Sequence, residues 1–158
     1  LRADRHRIPA LRAKARLPDF LLIKTSSLGD VVHNLPVVGD LREVWPDAGI
    51  DWVVEAAFAA IPRLHPGVRD VLPVRLRQWR RRPWSADMRA ARQAFDAALR
   101  ARHYDAVIDT QGLLKSALVA RRALGERHGL DWRSAREPLR LFYDRVHRVP
   151  WGRHAVHR

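Results

Sequence analysis

The chain has 158 residues, 47% of them apolar, enough for one ordinary domain with its own core and too apolar for a disordered segment. It contains no cysteine, which excludes a disulfide framework and any thiolate nucleophile or metal site. No apolar run approaches the ~20 residues of a membrane-spanning helix, and the first eighteen residues lack the apolar stretch of a secretory signal, so the expected setting is soluble and cytosolic. The formal charge of +13, almost all of it arginine, points to a polyanionic partner. Composition leaves nucleic acid, anionic lipid and a phosphorylated substrate all open. Guanidinium forks suit phosphate and carboxylate, although a solvated, arginine-rich surface would give the same count.

Leu1 to Pro18 carries six basic residues against Asp4 alone, shows no strand pattern and does not begin with methionine. It reads as a flexible basic extension, residues 1–18, which either frays or touches an anionic membrane. From Phe20 the pattern changes. Phe20-Leu21-Leu22-Ile23-Lys24 reads as a buried parallel strand. Small polar residues follow, Thr25-Ser26-Ser27, then Leu28-Gly29-Asp30. After Asp30 the apolar positions Val31, Leu35, Val38, Leu41 and Trp45 fall at helical spacing, with Pro36 predicting a kink or a late start near Asn34. Asp51 to Glu55 predicts a second strand, Ala56 to Leu64 a short helix, and Val71 to Val74 a third strand whose Pro73 suggests a sheet edge.

Arg75 to Arg82, five arginines in eight residues around Trp79, reads as an anion-binding loop ending at Pro83, with Trp79 as anchor or stacking surface; a solvated charge run is the plainer meaning. Ser85 predicts the cap of a helix with Met88, Ala91, Phe95 and Leu99 on its apolar face. Tyr104 to Asp109 predicts a buried strand. Gln111-Gly112 turns into a helix from Leu113 to Leu124, closed by Gly125. Beyond Asp131 the pattern weakens, with a helix capped by Ser134 through Leu139 to Tyr143 and a short strand at His147 to Val149. Alternating strands and helices predict an α/β fold: an open, mostly parallel, Rossmann-like sheet with helices on both faces.

In such sheets ligands bind outside the carboxyl ends of the strands. The loops Thr25–Asp30 and Thr110–Gly112 occupy that edge. Asp30 is the first loop's ionised acid and has two readings. It either caps the helix or acts as a general base toward a hydroxyl held at the strand ends. No G-x-G-x-x-G and no P-loop pattern occurs. His154 and His157 come nearest to a metal pair, and no metal site is expected.

The run Leu22-Ile23-Lys24-Thr25-Ser26-Ser27-Leu28-Gly29-Asp30-Val31-Val32-His33-Asn34-Leu35-Pro36 resembles the opening signature of the lipopolysaccharide heptosyltransferases of type I, in glycosyltransferase family 9. The likeness continues through Asp51–Glu55, Arg77–Trp84, Tyr104–Leu113, His128–Trp132 and Ala135-Arg136-Glu137-Pro138, covering roughly Phe20 to His157. It implies the amino-terminal, acceptor-binding half (residues 19–158) of a GT-B enzyme, with the carboxy-terminal donor domain absent. The implied reaction is an inverting, metal-independent transfer of heptose from ADP-heptose to Kdo of lipid A, at the cytoplasmic face of the inner membrane. The family's base falls on Asp30, and its acceptor-side residues on Lys24, Ser27, Gly29, Arg77, Arg80, Arg81 and Arg136. Gln78 stands where relatives carry a further basic residue, which puts one anion contact in doubt. The implied partners are Kdo-lipid A, ADP-heptose through the missing domain and the anionic membrane surface. No cofactor and no nucleic acid are expected, and the fragment alone should be inactive. A basic nucleic-acid-binding or anionic-membrane-binding module is the alternative.

Overall fold

The computed structural model describes residues 17–82, 84–135 and 137–149. Among the described residues six strands form one sheet: β1 (Asp19–Ile23), β2 (Gly49–Glu55), β3 (Asp70–Val74), β4 (His103–Asp109), β5 (Leu124–Leu130) and β6 (Arg145–His147). All five pairings are parallel and the order is β3-β2-β1-β4-β5-β6. The chain builds outward from β1 on one side, then returns to lay β4 against β1's other side. That reversal opens a crevice at the carboxyl ends of β1 and β4, where parallel sheets place their ligands.

Successive side chains of a strand point to opposite faces. In β1, Phe20 and Leu22 join Ile50, Trp52 and Val54 in a core layer on one face, while Leu21 and Ile23 join Val53, Leu72 and Val107 on the other. Both layers are covered, so the strand is apolar throughout. Helices α1 (Leu28–His33) and α2 (Leu35–Val44) cover the first face through Val31 and Val38. Helices α4 (Leu76–Arg81), α5 (Ala86–Arg100) and α6 (Leu114–Ala120) cover the second through Trp79, Phe95, Leu99 and Ala117.

The break expected at Pro36 is present: α1 stops at His33 and α2 begins at Leu35, with the proline in α2's first turn. There it needs no N–H and its ring meets no helical carbonyl. Pro73 lies on edge strand β3, as expected. Ser85 occupies the N-cap of α5 in extended conformation, though its side chain makes no capping bond.

Four readings are corrected. Residues 56–64 form a 3-10 turn (Ala56–Phe58) and one short turn of helix, α3 (Ala60–Arg63), rather than a single helix. The arginine-rich stretch is helical, not a loop, and Trp79 is buried at 5% exposure, so it packs in the core instead of offering a stacking surface. The helix predicted to run to Leu124 ends at Ala120, and Gly125 lies inside β5. A Cβ at Gly125 would fall 2.3 Å from the Tyr104 carbonyl oxygen, so the glycine admits a neighbouring strand rather than closing a helix. Where a helix is expected from Ser134 to Tyr143, the described residues form only a 3-10 turn, Arg140–Phe142.

At the amino ends of the strands an ionic network closes the sheet. Fully buried Asp51 receives Arg69 through Nε (2.8 Å) and Nη2 (2.9 Å), Arg102 at 3.2 Å and the Tyr104 hydroxyl at 2.9 Å. Burial and the neighbouring Asp51 carboxylate push the Tyr104 phenol up, so it remains a donor.

Candidate active site

The loops leaving β1, β4, β5 and β6 enclose a cavity of about 290 Å³. Its wall includes Lys24 and Asp30 from the β1 side, Asp109 to Gln111 from β4, His128 to Leu130 from β5, His147 at the end of β6 and Val149 beyond it. It therefore sits over the reversal point of the sheet.

Asp30 is the third residue of α1 and Ser27 is that helix's N-cap. Oδ2 of Asp30 accepts from the Ser27 amide and from the Ser27 hydroxyl, each at 2.8 Å. The acid thus reaches back as the distal member of a capping box rather than being the cap itself. The reading of Asp30 as the helix cap is thus corrected, since Ser27 is the N-cap, and the half-buried carboxylate that ties down its loop also lines the cavity.

The β4 loop grips the β1 loop. Oε1 of Gln111 accepts from the amides of Thr25 (3.0 Å) and Ser26 (3.1 Å), with the Thr25 hydroxyl at 3.4 Å. Lys24 Nζ donates to the Thr110 carbonyl at 3.0 Å, and Lys115 Nζ to Ser26 Oγ at 2.7 Å. Beneath Gln111 lies Asp109, 2% exposed. Its Oδ1 accepts from the amides of Gln111 (2.8 Å) and Gly112 (3.4 Å), and its Oδ2 from the Tyr143 hydroxyl at 2.8 Å. Burial raises the Asp109 carboxyl above its ordinary value, against the opposing pull of Tyr143, Ser116 and the two amides. Burial and Asp109 likewise push the Tyr143 phenol up.

His128 and His147 form a second wall. Their rings stack at 5.2 Å and 7°, with Nδ1 of His128 3.0 Å from Nε2 of His147. That contact needs one donor and one acceptor, so the facing edges share a single proton. Glu126 Oε2 lies 3.5 Å from His128 Nε2, and Glu126 Oε1 accepts from Arg145 at 2.9 Å. Burial lowers the His128 pKa, with Glu126 opposing.

Arg77, Arg80 and Arg81 are exposed on α4. This helix follows β3, so it leaves the same rim as Asp30, two strands from β1 and about 10 Å along the sheet by ordinary strand spacing. It covers the opposite face from α1. None of the three arginines lines the cavity.

Comparison with known proteins places this arrangement. The profile of glycosyltransferase family 9 (heptosyltransferase) matches residues 92–158. Lipopolysaccharide heptosyltransferase 1 of Escherichia coli strain K12 is 53% identical over 140 residues, covering 87% of this chain and 44% of that protein. The protein of the same name from Pseudomonas aeruginosa is 49% identical over 141 residues, covering 87% and 39%. The solved structure of E. coli heptosyltransferase WaaC with ADP superposes with a TM-score of 0.85 at 50% identity, again over 87% of this chain and 44% of that one. A second, with ADP-2-deoxy-2-fluoro heptose, gives 0.84. In sequence and fold the chain is similar to the heptosyltransferases of glycosyltransferase family 9. It spans less than half the length of these relatives.

Of the residues singled out from the sequence, Lys24 and Asp30 face one cavity, and Ser27 is hydrogen-bonded to Asp30. Gly29 is exposed, and a Cβ there would meet nothing within 4 Å. Arg77, Arg80 and Arg81 stand along the rim, and Arg136 lies outside the described residues. Sequence reasoning passed over Asp109, Gln111, Tyr143 and the His128–His147 pair as site residues. A signal existed for the first two, because Asp109 ends an apolar strand and the next residues form the second loop at the ligand edge.

Proposed function

We propose that this chain is the acceptor-binding half of an inverting, metal-independent heptosyltransferase in which Asp30 is the general base. The observation that carries the reading is Asp30 itself: a half-buried carboxylate, held by Ser27, in a cavity over the sheet's reversal point. Such a group takes the proton from an acceptor hydroxyl as that oxygen attacks the donor's anomeric carbon. The nucleoside diphosphate leaves from the opposite side of the sugar. General-base assistance of this kind contributes about 10²- to 10⁴-fold.

The names of the relatives supply the sugar and the setting. The matched E. coli enzyme is a lipopolysaccharide heptosyltransferase solved with ADP and with a fluorinated ADP-heptose, so the proposed donor is ADP-heptose, held by a second domain. The proposed acceptor is Kdo of lipid A. Its carboxylates and phosphates suit Lys24 in the cavity and the exposed forks of Arg77, Arg80 and Arg81 on the rim, with Arg136, Ser27 and Gly29 completing the acceptor side. The proposed location is the cytoplasmic face of the inner membrane, with the cationic rim toward anionic lipid.

The test is Asp30→Asn in the two-domain enzyme. Turnover should fall at least about a hundredfold while acceptor affinity stays near native, and a chelator should leave turnover unchanged. Unaltered turnover in Asp30→Asn would remove the residue from the mechanism.

A further inference from the structure

The side-chain amide of Gln111 has only one orientation available. The groups meeting one of its terminal atoms at 3.0 and 3.1 Å are the backbone N–H groups of Thr25 and Ser26. These can only donate, so the atom they meet is the carbonyl oxygen Oε1. The amide is planar, and Nε2 diverges from Oε1 by about 120°, so fixing the oxygen on the β1 loop turns the NH₂ group away from that loop. Gln111 lines the cavity. Among the described residues Nε2 donates to nothing, and it is not one of the buried polar atoms left without a partner. It is therefore accessible and not sealed in the core, on a residue that lines the cavity. The backbone beneath is pinned too, because the Gln111 amide donates to buried Asp109, which Tyr143 holds from its other oxygen.

We propose that Gln111 works at both ends: Oε1 positions the loop that carries Asp30, and Nε2 donates a hydrogen bond to an oxygen of the bound acceptor, beside the hydroxyl that Asp30 deprotonates. The inference rests on the reading of this cavity as the acceptor site. The group recognised is a sugar oxygen with a lone pair to give, a hydroxyl, ring or carboxylate oxygen. A neutral amide donor held rigid before binding loses little rotamer freedom when the ligand arrives. Because the same side chain sets the Thr25–Ser26 backbone, substrate and base are registered to one residue.

The experiment uses the two-domain enzyme and the Kdo-bearing acceptor. Gln111→Glu keeps an oxygen for the Thr25 and Ser26 amides and replaces the NH₂ donor, whereas Gln111→Leu removes both. In Gln111→Glu the acceptor KM should rise about tenfold or more, the scale of one lost hydrogen bond, with a smaller change in kcat and a native thermal midpoint. In Gln111→Leu the same KM increase should come with a fall in kcat. The KM defect of Gln111→Glu should persist at about 0.5 M salt, where simple repulsion by the added charge is screened. A native acceptor KM in Gln111→Glu, or a defect abolished by salt, overturns the contact to substrate. A native kcat in Gln111→Leu overturns the positioning role. If Asp30→Asn also turns over normally, the reading of the cavity fails; if Asp30→Asn is inactive and the Gln111 variants behave as native, only this inference falls.

Discussion

The hydroxyl of Tyr143 donates to Oδ2 of Asp109 at 2.8 Å, joining the segment before β6 to the end of β4. Neighbouring Gly129 keeps that ring in place: a Cβ there would fall 2.4 Å from the Tyr143 ring, so only glycine lets the ring lie across β5. The bond completes the anchoring of Asp109, whose other oxygen holds the turn that presents Gln111. Tyr143→Phe strips one donor from a buried carboxylate and should cost about 1–3 kcal/mol, read from urea unfolding at neutral pH.

Asp109 also sets a pH dependence. Its carboxyl sits above its ordinary 3.8 because burial disfavours the charge. The folded state holds that proton more tightly than the unfolded chain, so the contribution is full below pH 3.8 and is lost as pH rises through the raised value. Asp109→Asn should remove this decline. Urea midpoints measured from pH 3.5 upward should therefore fall with pH more steeply in the native protein than in the variant.

Asp144 has the opposite sign. Paired with Arg127 at 2.8 Å, its carboxyl is held down to about 2. The stability it adds is present above its ordinary 3.8 and disappears as pH falls through about 2. Both partners are partly exposed, so Asp144→Asn should cost under about 1 kcal/mol at neutral pH and nothing in strong acid, by the same unfolding measurement.

The arginine-rich helix separates packing from binding. Trp79 stands edge-on to Phe95 with centroids 5.6 Å apart and carries the Arg92 guanidinium at 5.5 Å. Trp79→Ala should cost about 3–5 kcal/mol. Arg80→Ala combined with Arg81→Ala, both exposed, should stay within about 0.5 kcal/mol per site yet raise the acceptor KM. Native kinetics in that double variant would return the helix surface to solvent.

At the other end of the sheet, Asp51 is the common partner of Arg69, Arg102 and Tyr104. Asp51→Ala leaves these groups facing an empty position and should cost about 3–5 kcal/mol. The residue lies at the amino ends of the strands, away from the cavity, so acceptor affinity in the folded fraction should be unchanged by isothermal titration.

Much of the fold was legible because burial on both faces leaves a plain mark. Phe20 to Ile23 and Ala106 to Val107 are apolar runs too short for helices, and the switch to helical spacing after Asp30 marks the first turn. Strand β5 carried no such mark: Glu126, Arg127 and His128 interrupt it between two glycines, and it is a strand because its backbone pairs with β4. Trp79 was misplaced for a related reason. Five arginines dominate the composition of its segment, but helical spacing from Leu76 turns the indole inward.

The amino-acid pattern by itself determined the alternation of strands and helices, the placement of Asp30 after the first strand and the cationic character of the chain, because each depends on residues close together along the backbone. Tertiary structure alone decided that β4 lies beside β1. Through that pairing Gln111 meets Thr25 across 86 positions, and through the β4–β5 and β5–β6 pairings Asp109 finds Tyr143 and His128 stacks on His147. Periodicity records which face of a strand is buried, whereas the hydrogen-bond ladder that chooses its neighbour is made of backbone groups common to every residue.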